Sequence, residues 1–365
     1  MAPTKRRKGK GKGKGEVPTS GKQPSTGPSQ EDVTIDAMLD EARSAVDPFL
    51  AVSLYQKALH ARPDNTSIMA EAAELMLQVG ETAAAKEVLA RSILLGPEEG
   101  PDKYLYMAQL HEGRRALEYY EKGLELLLKT QGEGADGAKE GEALRKQRVC
   151  MGYCSVAELF LTDLCFEPNA EAQCQDALDR SMLHDYGGPE PLQAMANLRL
   201  SQRKPEEAVR SAEEAFERLG LCDPPPDHEF RVSLAKVLIE CSACNNGCCY
   251  KALEVLNGLM QEDDENIEVW YLMAVAFNSL QPPDYESARA HLETAAEMLS
   301  KVRTAQQEAG EEFAFEGQVQ LVQEQMEVVL RAAEDKHTDG QSVAAAAAGS
   351  NKSTEEEETA DMDCA

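Results

Sequence analysis

One pattern constrains the fold of this chain more than any other. A small residue is followed four positions on by a large one, and three further by a second small one. It first occurs at Ala51/Tyr55/Ala58, with Pro63 five residues on, and again 34 residues later at Ala85/Leu89/Ser92, followed by Pro97. It returns at Ala116/Tyr120/Gly123, Cys174/Leu178/Ser181, Ala208/Ala212/Ala215, Ala252/Leu256/Leu259 and Ala288/Leu292/Ala295, in steps of 31, 58, 34, 44 and 36 residues. Offsets of four and seven put the three residues on one face of a helix, and small residues at its ends let a partner helix approach closely.

A complementary spacing lies in the segments between. Trp270/Met273/Ala274/Phe277 sets large residues at i, i+3 and i+7 with a small one at i+4. Tyr104/Met107/Ala108/His111, Tyr153/Val156/Ala157/Phe160 and, more loosely, Leu192/Met195/Ala196/Arg199 repeat it. A helix pair recurring every 34 residues, with proline ending the second helix, is the tetratricopeptide signature. The chain is therefore expected to be all-α, a tetratricopeptide helical-repeat superhelix of about seven helix pairs. Trp270 is expected between helices. Two positions depart from the pattern: Ala212 stands where an aromatic is usual, and the register of the pair spanning 227–259 is open. Residues 311–334 should form the amphipathic capping helix that such stacks require.

The organisation follows from composition. Residues 1–30 are basic and nearly devoid of apolar side chains, so they are expected to be a disordered tail. The superhelix should span 31–335, broken by a flexible Gly-rich loop at 131–142. An acidic tail should occupy 336–365, where six acids and no base follow Lys352.

The net charge of −28 is unevenly spread. Residues 1–30 hold eight bases and one acid, +7, leaving −35 for the rest. So acidic a body repels nucleic-acid backbones and suits a basic polypeptide. The run Lys5, Arg6, Arg7, Lys8 is read as a nuclear-localisation signal engaging the import machinery. No apolar run reaches the roughly 18–20 residues of a membrane helix, and no signal-peptide core follows the basic start. The chain reads as soluble, cytoplasmic and nuclear.

No constellation in the sequence points to catalysis or to a cofactor. The six histidines show no metal or triad spacing, and GKGKGKG does not lie between a strand and a helix. Cys241, Cys244, Cys248 and Cys249 could supply zinc thiolates, but adjacent ligands without a second knuckle disfavour that, and they are expected to line an inter-helix turn. Cys150, Cys154, Cys165 and Cys174 read as small core residues. On the concave face, off-core positions of the first helices are expected to include Asp36, Asp40, Glu74, Asp102, Glu112, Glu158, Glu190 and Glu268, with Glu262–Glu265 just before the last of them. That set fits a Lys/Arg-rich ligand.

Three stretches are more specific than repeat positions: 103–110 (KYLYMAQL) with 118–123 (EYYEKG), 157–167 (AELFLTDLCFE) and 262–272 (EDDENIEVWYL). They resemble the dedicated assembly chaperones of ribosomal protein uL4, over about residues 35–300. The resemblance implies a non-enzymatic repeat protein that captures newly made uL4 through its basic internal loop, escorts it to the nucleus and releases it into the large-subunit precursor. Nothing transfers to the basic head, the 131–142 loop or the cysteine cluster. Three rivals are weighed against this: a generic repeat scaffold or co-chaperone for another basic protein, a co-chaperone clamping the acidic tail of heat-shock chaperones, and a zinc or thiol enzyme. The clamp needs Lys, Arg and Asn where acids are expected here.

Overall fold

A computed structural model of the chain describes residues 30–129 and 138–355, with side chains at 34–129 and 141–336. The described residues form helices and the turns between them. They fall into two compact units, Met1–Pro97 and Glu98–Ala365. The first unit holds α1 (Gln30–Ser44), α2 (Pro48–Ala61), α3 (Thr66–Gln78) and α4 (Thr82–Leu95). The second holds α5 (Asp102–Gln109), α6 (Gly113–Lys129), α7 (Ala138–Leu161), α8 (Ala170–Leu183), α9 (Glu190–Ser201) and α10 (Pro205–Leu219). It continues with α11 (His228–Cys241), α12 (Asn246–Glu262), α13 (Ile267–Ser279), α14 (Tyr285–Ala309) and α15 (Glu316–Glu355).

Each odd-numbered helix up to α13 packs on the one that follows, giving the expected seven pairs among the described residues, and α15 packs on α14 and α13. Within the second unit, first helices also meet first helices of the next pair (α7 with α9, α9 with α11, α11 with α13), as stacked repeats do. Every member of the seven triplets is buried, including Gly123 and the three alanines at 208, 212 and 215. The open register at 227–259 closes as α11 and α12, with Ala252, Leu256 and Leu259 fully enclosed.

Helix starts are locally encoded. Asp47, Asn65, Asp227, Asn245, Asn266 and Asp284 each accept a hydrogen bond from a backbone N–H of the first turn, which satisfies groups the helix leaves unpaired. At the other end of α14, Gly310 adopts φ 73°, a left-handed conformation that glycine reaches without a Cβ penalty. The chain then crosses 311–315 and returns as α15, whose Val322 and Val329 bury against a cluster with Leu292 and Leu299.

Several expectations shift. Trp270 is only partly buried: its indole N–H donates to the Asp264 carbonyl at 2.7 Å, and its ring tilts against His291 at 5.3 Å. That polar reach to the α12–α13 turn keeps one ring edge at the surface. Cys150 and Cys174 are buried and Cys154 half-buried, but Cys165 is exposed on the turn after α7, outside the packed stripe. Residues 138–142, assigned above to a loop, open α7, and α15 continues through 336–355, assigned above to a tail. The five-alanine run there has the highest helix propensity of any residue type. Residues 1–29, 130–137 and 356–365 lie outside the described residues, and with them Lys5, Arg6, Arg7, Lys8, most of the Gly-rich loop and the last acids.

Candidate functional site

The eight acids expected to meet a ligand divide by what surrounds them. Four are held in ion pairs: Asp36 by Arg62 at 2.9 Å, Asp40 by Arg43 at 3.2 Å, Glu268 by Lys236 at 2.6 Å, and Asp102 by Arg148. Glu190, the first residue of α9, is half-buried and accepts the Tyr186 hydroxyl. Burial, with that carboxylate beside it, raises the Tyr186 phenol well above its ordinary value. The other three, Glu74, Glu112 and Glu158, are exposed, and among the described residues no cation pairs with them. Glu112 stands on the turn before α6 rather than on a first helix, because α5 ends at Gln109. Asp36, Asp40 and Glu74 belong to the first unit and the remainder to the second.

In the first unit a hollow of about 370 Å³ is lined by residues including Arg43, Val46, Tyr55, Glu71, Glu74 and Leu75. Arg43 grips Glu71 with two N–H groups, Nε at 2.9 Å and a terminal nitrogen at 3.0 Å, while the Tyr55 hydroxyl donates to the same carboxylate at 2.9 Å. The hydrogen bond from Arg43 holds Glu71 below the ordinary carboxylate range, and burial pushes Tyr55 up to about 12. Glu71 is thus spent internally, while Glu74, one turn on, remains available.

The second unit carries a larger cleft, about 1010 Å³, between α13 and the start of α15, with Lys236 of α11 at its edge. Its walls include Ile267, Tyr271 and Leu272 on one side and Phe315, Leu321 and Val322 on the other. Glu265, Glu268 and Glu324 also line it, with the neutral polar side chains of Asn266, Gln318 and Gln320. Burial raises the Tyr271 phenol, and the Glu324 carboxylate adds to that shift. Leu321 is 51% exposed although it lines an apolar wall. Glu265 belongs to the acidic run noted in the sequence, but the cleft itself was not anticipated. A signal for it exists: α15 carries Leu321 and Val328 seven apart, off the stripe of Val322 and Val329 that packs on α14.

The cysteine cluster folds around the α11–α12 turn. Cys241 ends α11, Cys244 is exposed on the turn, and Cys248 and Cys249 are buried in the first turns of α12. The Cys249 thiol donates to the Ala276 carbonyl at 2.9 Å. Burial pushes Cys241 up to about 12 and Cys248 and Cys249 to about 11, which holds them as neutral thiols in the packed core. Among the described residues, no group of three or more His, Cys, Asp or Glu is placed to hold a metal, and no helix is long and apolar enough to cross a membrane.

Comparison with known proteins adds to this geometry. A tetratricopeptide repeat family model matches residues 47–110. A protein of Schizosaccharomyces pombe named as a probable assembly chaperone of rpl4 is 34% identical over 200 residues, 52% of this chain and 56% of that protein. An Emericella nidulans protein of the same name is 29% identical over 243 residues, 61% of this chain and 58% of that protein. The solved structure of the assembly chaperone of RpL4, Acl4 (residues 1–338), aligns with a TM-score of 0.58 at 25% identity, covering 66% of this chain and 95% of that one. The chain thus spans little more than half the length of the curated relatives it matches. Its fold is that of the tetratricopeptide-repeat proteins, and the relatives it is similar to are named as assembly chaperones of Rpl4.

Proposed function

We propose that this protein is a binding protein rather than an enzyme, an assembly chaperone that captures newly made ribosomal protein uL4. The likeness to proteins named as chaperones of Rpl4 carries this reading. The acidic surface supports it, because a basic loop gains most where carboxylates are not already neutralised. Glu74, Glu112 and Glu158 meet that condition, whereas Asp36, Asp40, Asp102 and Glu268 are engaged by cations of the chain itself. The basic run Lys5–Lys8 would serve import with the bound cargo. Release needs no nucleotide chemistry, since ribosomal RNA offers uL4 a denser array of negative charge.

The test is affinity of the full chain for uL4 against salt, beside affinity purification from extract at low salt. Wild-type binding should weaken as salt rises, because attraction is screened over about 8–10 Å at physiological ionic strength. Changing Glu74, Glu112 and Glu158 together to Lys should cost at least tenfold in affinity while helicity is preserved. Tight binding by that triple variant would sink the acidic-surface mechanism. Salt-sensitive capture of many basic proteins with no preference for uL4 would favour the generic scaffold or co-chaperone instead.

A further inference from the structure

The cleft between α13 and α15 has a composition that charge attraction alone does not require. Most of the lining surface is apolar, while Glu265, Glu268 and Glu324 outnumber the one cation, Lys236, and Asn266, Gln318 and Gln320 add neutral polar groups. Its volume of about 1010 Å³ matches the upper end of ligand pockets, which span roughly 300–1,000 Å³. We propose that this cleft anchors a large apolar side chain of a polypeptide ligand, the anchor being flanked in the ligand's sequence by Lys or Arg. The inference rests on the reading that the ligand is a basic polypeptide, and it adds a requirement that ligand must meet.

The occupant follows from what lines the cleft. Lys236 is held by Glu268, so the local cation is already committed, while Glu265 and Glu324 pair with no cation among the described residues, Glu324 accepting only the Gln320 amide N–H at 2.8 Å. Glu262 is taken by both terminal nitrogens of Arg231, at 2.6 and 2.7 Å, which leaves Asp263, Asp264 and Glu265 as the open part of that run. Net negative charge in a mostly apolar lining repels nucleic acid, an anionic lipid surface and a second copy of this chain, which itself carries −28. The chain's own basic segment has the right charge, but between Lys5 and Lys22 it offers Val17 as its one large aliphatic residue and no aromatic. A foreign segment of Lys/Arg character with a Leu, Met or Phe satisfies both the apolar lining and the carboxylates. In such a contact the desolvated apolar anchor sets the dissociation rate, and the charges set encounter and salt dependence.

Two positions allow the anchor to be removed without touching the core. Leu321 is half-exposed, and Gly317, also lining the cleft, has open space where a Cβ would stand and an unstrained backbone. The experiment uses the full-length chain and two synthetic probes: a Lys/Arg peptide with one central Phe, and the same peptide with Ser in its place. Wild type should bind the Phe peptide about tenfold more tightly, a difference retained at high salt. Leu321→Ser and, independently, Gly317→Phe should erase that preference with circular dichroism unchanged. Glu265→Gln with Glu324→Gln should weaken both peptides alike and flatten their salt dependence. Equal affinity of wild type for the two peptides, or a preference that survives both cleft variants, overturns the inference. So does a tightening of the Phe peptide when residues 1–29 are deleted, which would assign the cleft to the chain's own basic segment. Capture of uL4 by wild type is measured alongside. Its failure with the Phe preference intact condemns the chaperone reading and spares the cleft, and the reverse result does the opposite.

Discussion

Glu71 illustrates how a single carboxylate can hold three helices together: it lies on α3, its partner Arg43 on α1 and Tyr55 on α2. Its proton affinity is lowered in the fold, so the native state carries fewer protons there than the unfolded chain does as pH falls. Stability from this group is therefore complete above the unfolded value, about 4.3, and is lost as pH drops through the native one. Tyr55, pushed up to about 12, remains a donor throughout that window. Glu71→Gln should lower stability by about 1 kcal/mol at pH 7, a magnitude discounted for partial exposure. Denaturant midpoints of wild type and variant should converge below pH 4. A gap that stays constant down to pH 3 would mean that ionisation of Glu71 contributes nothing. This triad was not legible in the sequence. Arg43, Tyr55 and Glu71 are each unremarkable alone, and only the crossing of three helices brings them together.

At the scale of elements, the triplets were legible because each is a local consequence of helix geometry, and the buried stripes of α2, α4, α6, α8, α10, α12 and α14 follow from them. The cleft was not, because it needs α15 to return beside α13 across an intervening α14. Two mid-helix glycines separate propensity from packing. Gly258 of α12 has nothing within 4 Å of where a Cβ would stand, so Gly258→Ala should stabilise by about 0.5–1 kcal/mol. Gly123 of α6 closes a triplet against α5, and a Cβ there would lie 2.7 Å from a Leu105 methyl and 3.3 Å from the Tyr104 Cβ. Gly123→Val should therefore destabilise, by about 1–3 kcal/mol. Thermal melting of the two variants checks both signs, and a stabilised Gly123→Val would show that α5 and α6 are not packed this closely.

Across the whole molecule, the −28 charge was evident from composition, but its effective distribution was not. Sequence spacing could propose which acids face outward; it could not say that Arg62, Arg43, Arg148 and Lys236 neutralise half of the proposed set. Asp40 and Arg43 are neighbours at i,i+3 on α1, but the other three pairs join residues 26 to 46 positions apart and depend on how successive helices stack. What survives as open charge is sparser than the formal count suggests, which sharpens the choice of residues to alter.

The thiols of the second unit also sort by depth, and this makes the protein its own instrument. Cys241, Cys248, Cys249 and Cys174 are buried and held in the neutral form, which does not alkylate readily, whereas Cys165 and Cys244 stand exposed on turns. With Cys364, which lies outside the described residues, replaced by Ser, brief maleimide treatment of the native protein should mark Cys165 and Cys244 first, as peptide mapping by mass spectrometry would reveal. Rapid labelling of Cys241 or Cys248 would instead mean that the α11–α12 hairpin opens. Two dyes on those turns, one after α7 and one before α12, form a natural ruler along the repeats. A change in their energy transfer on adding a ligand would report whether the helix pairs between those two turns shift when it binds.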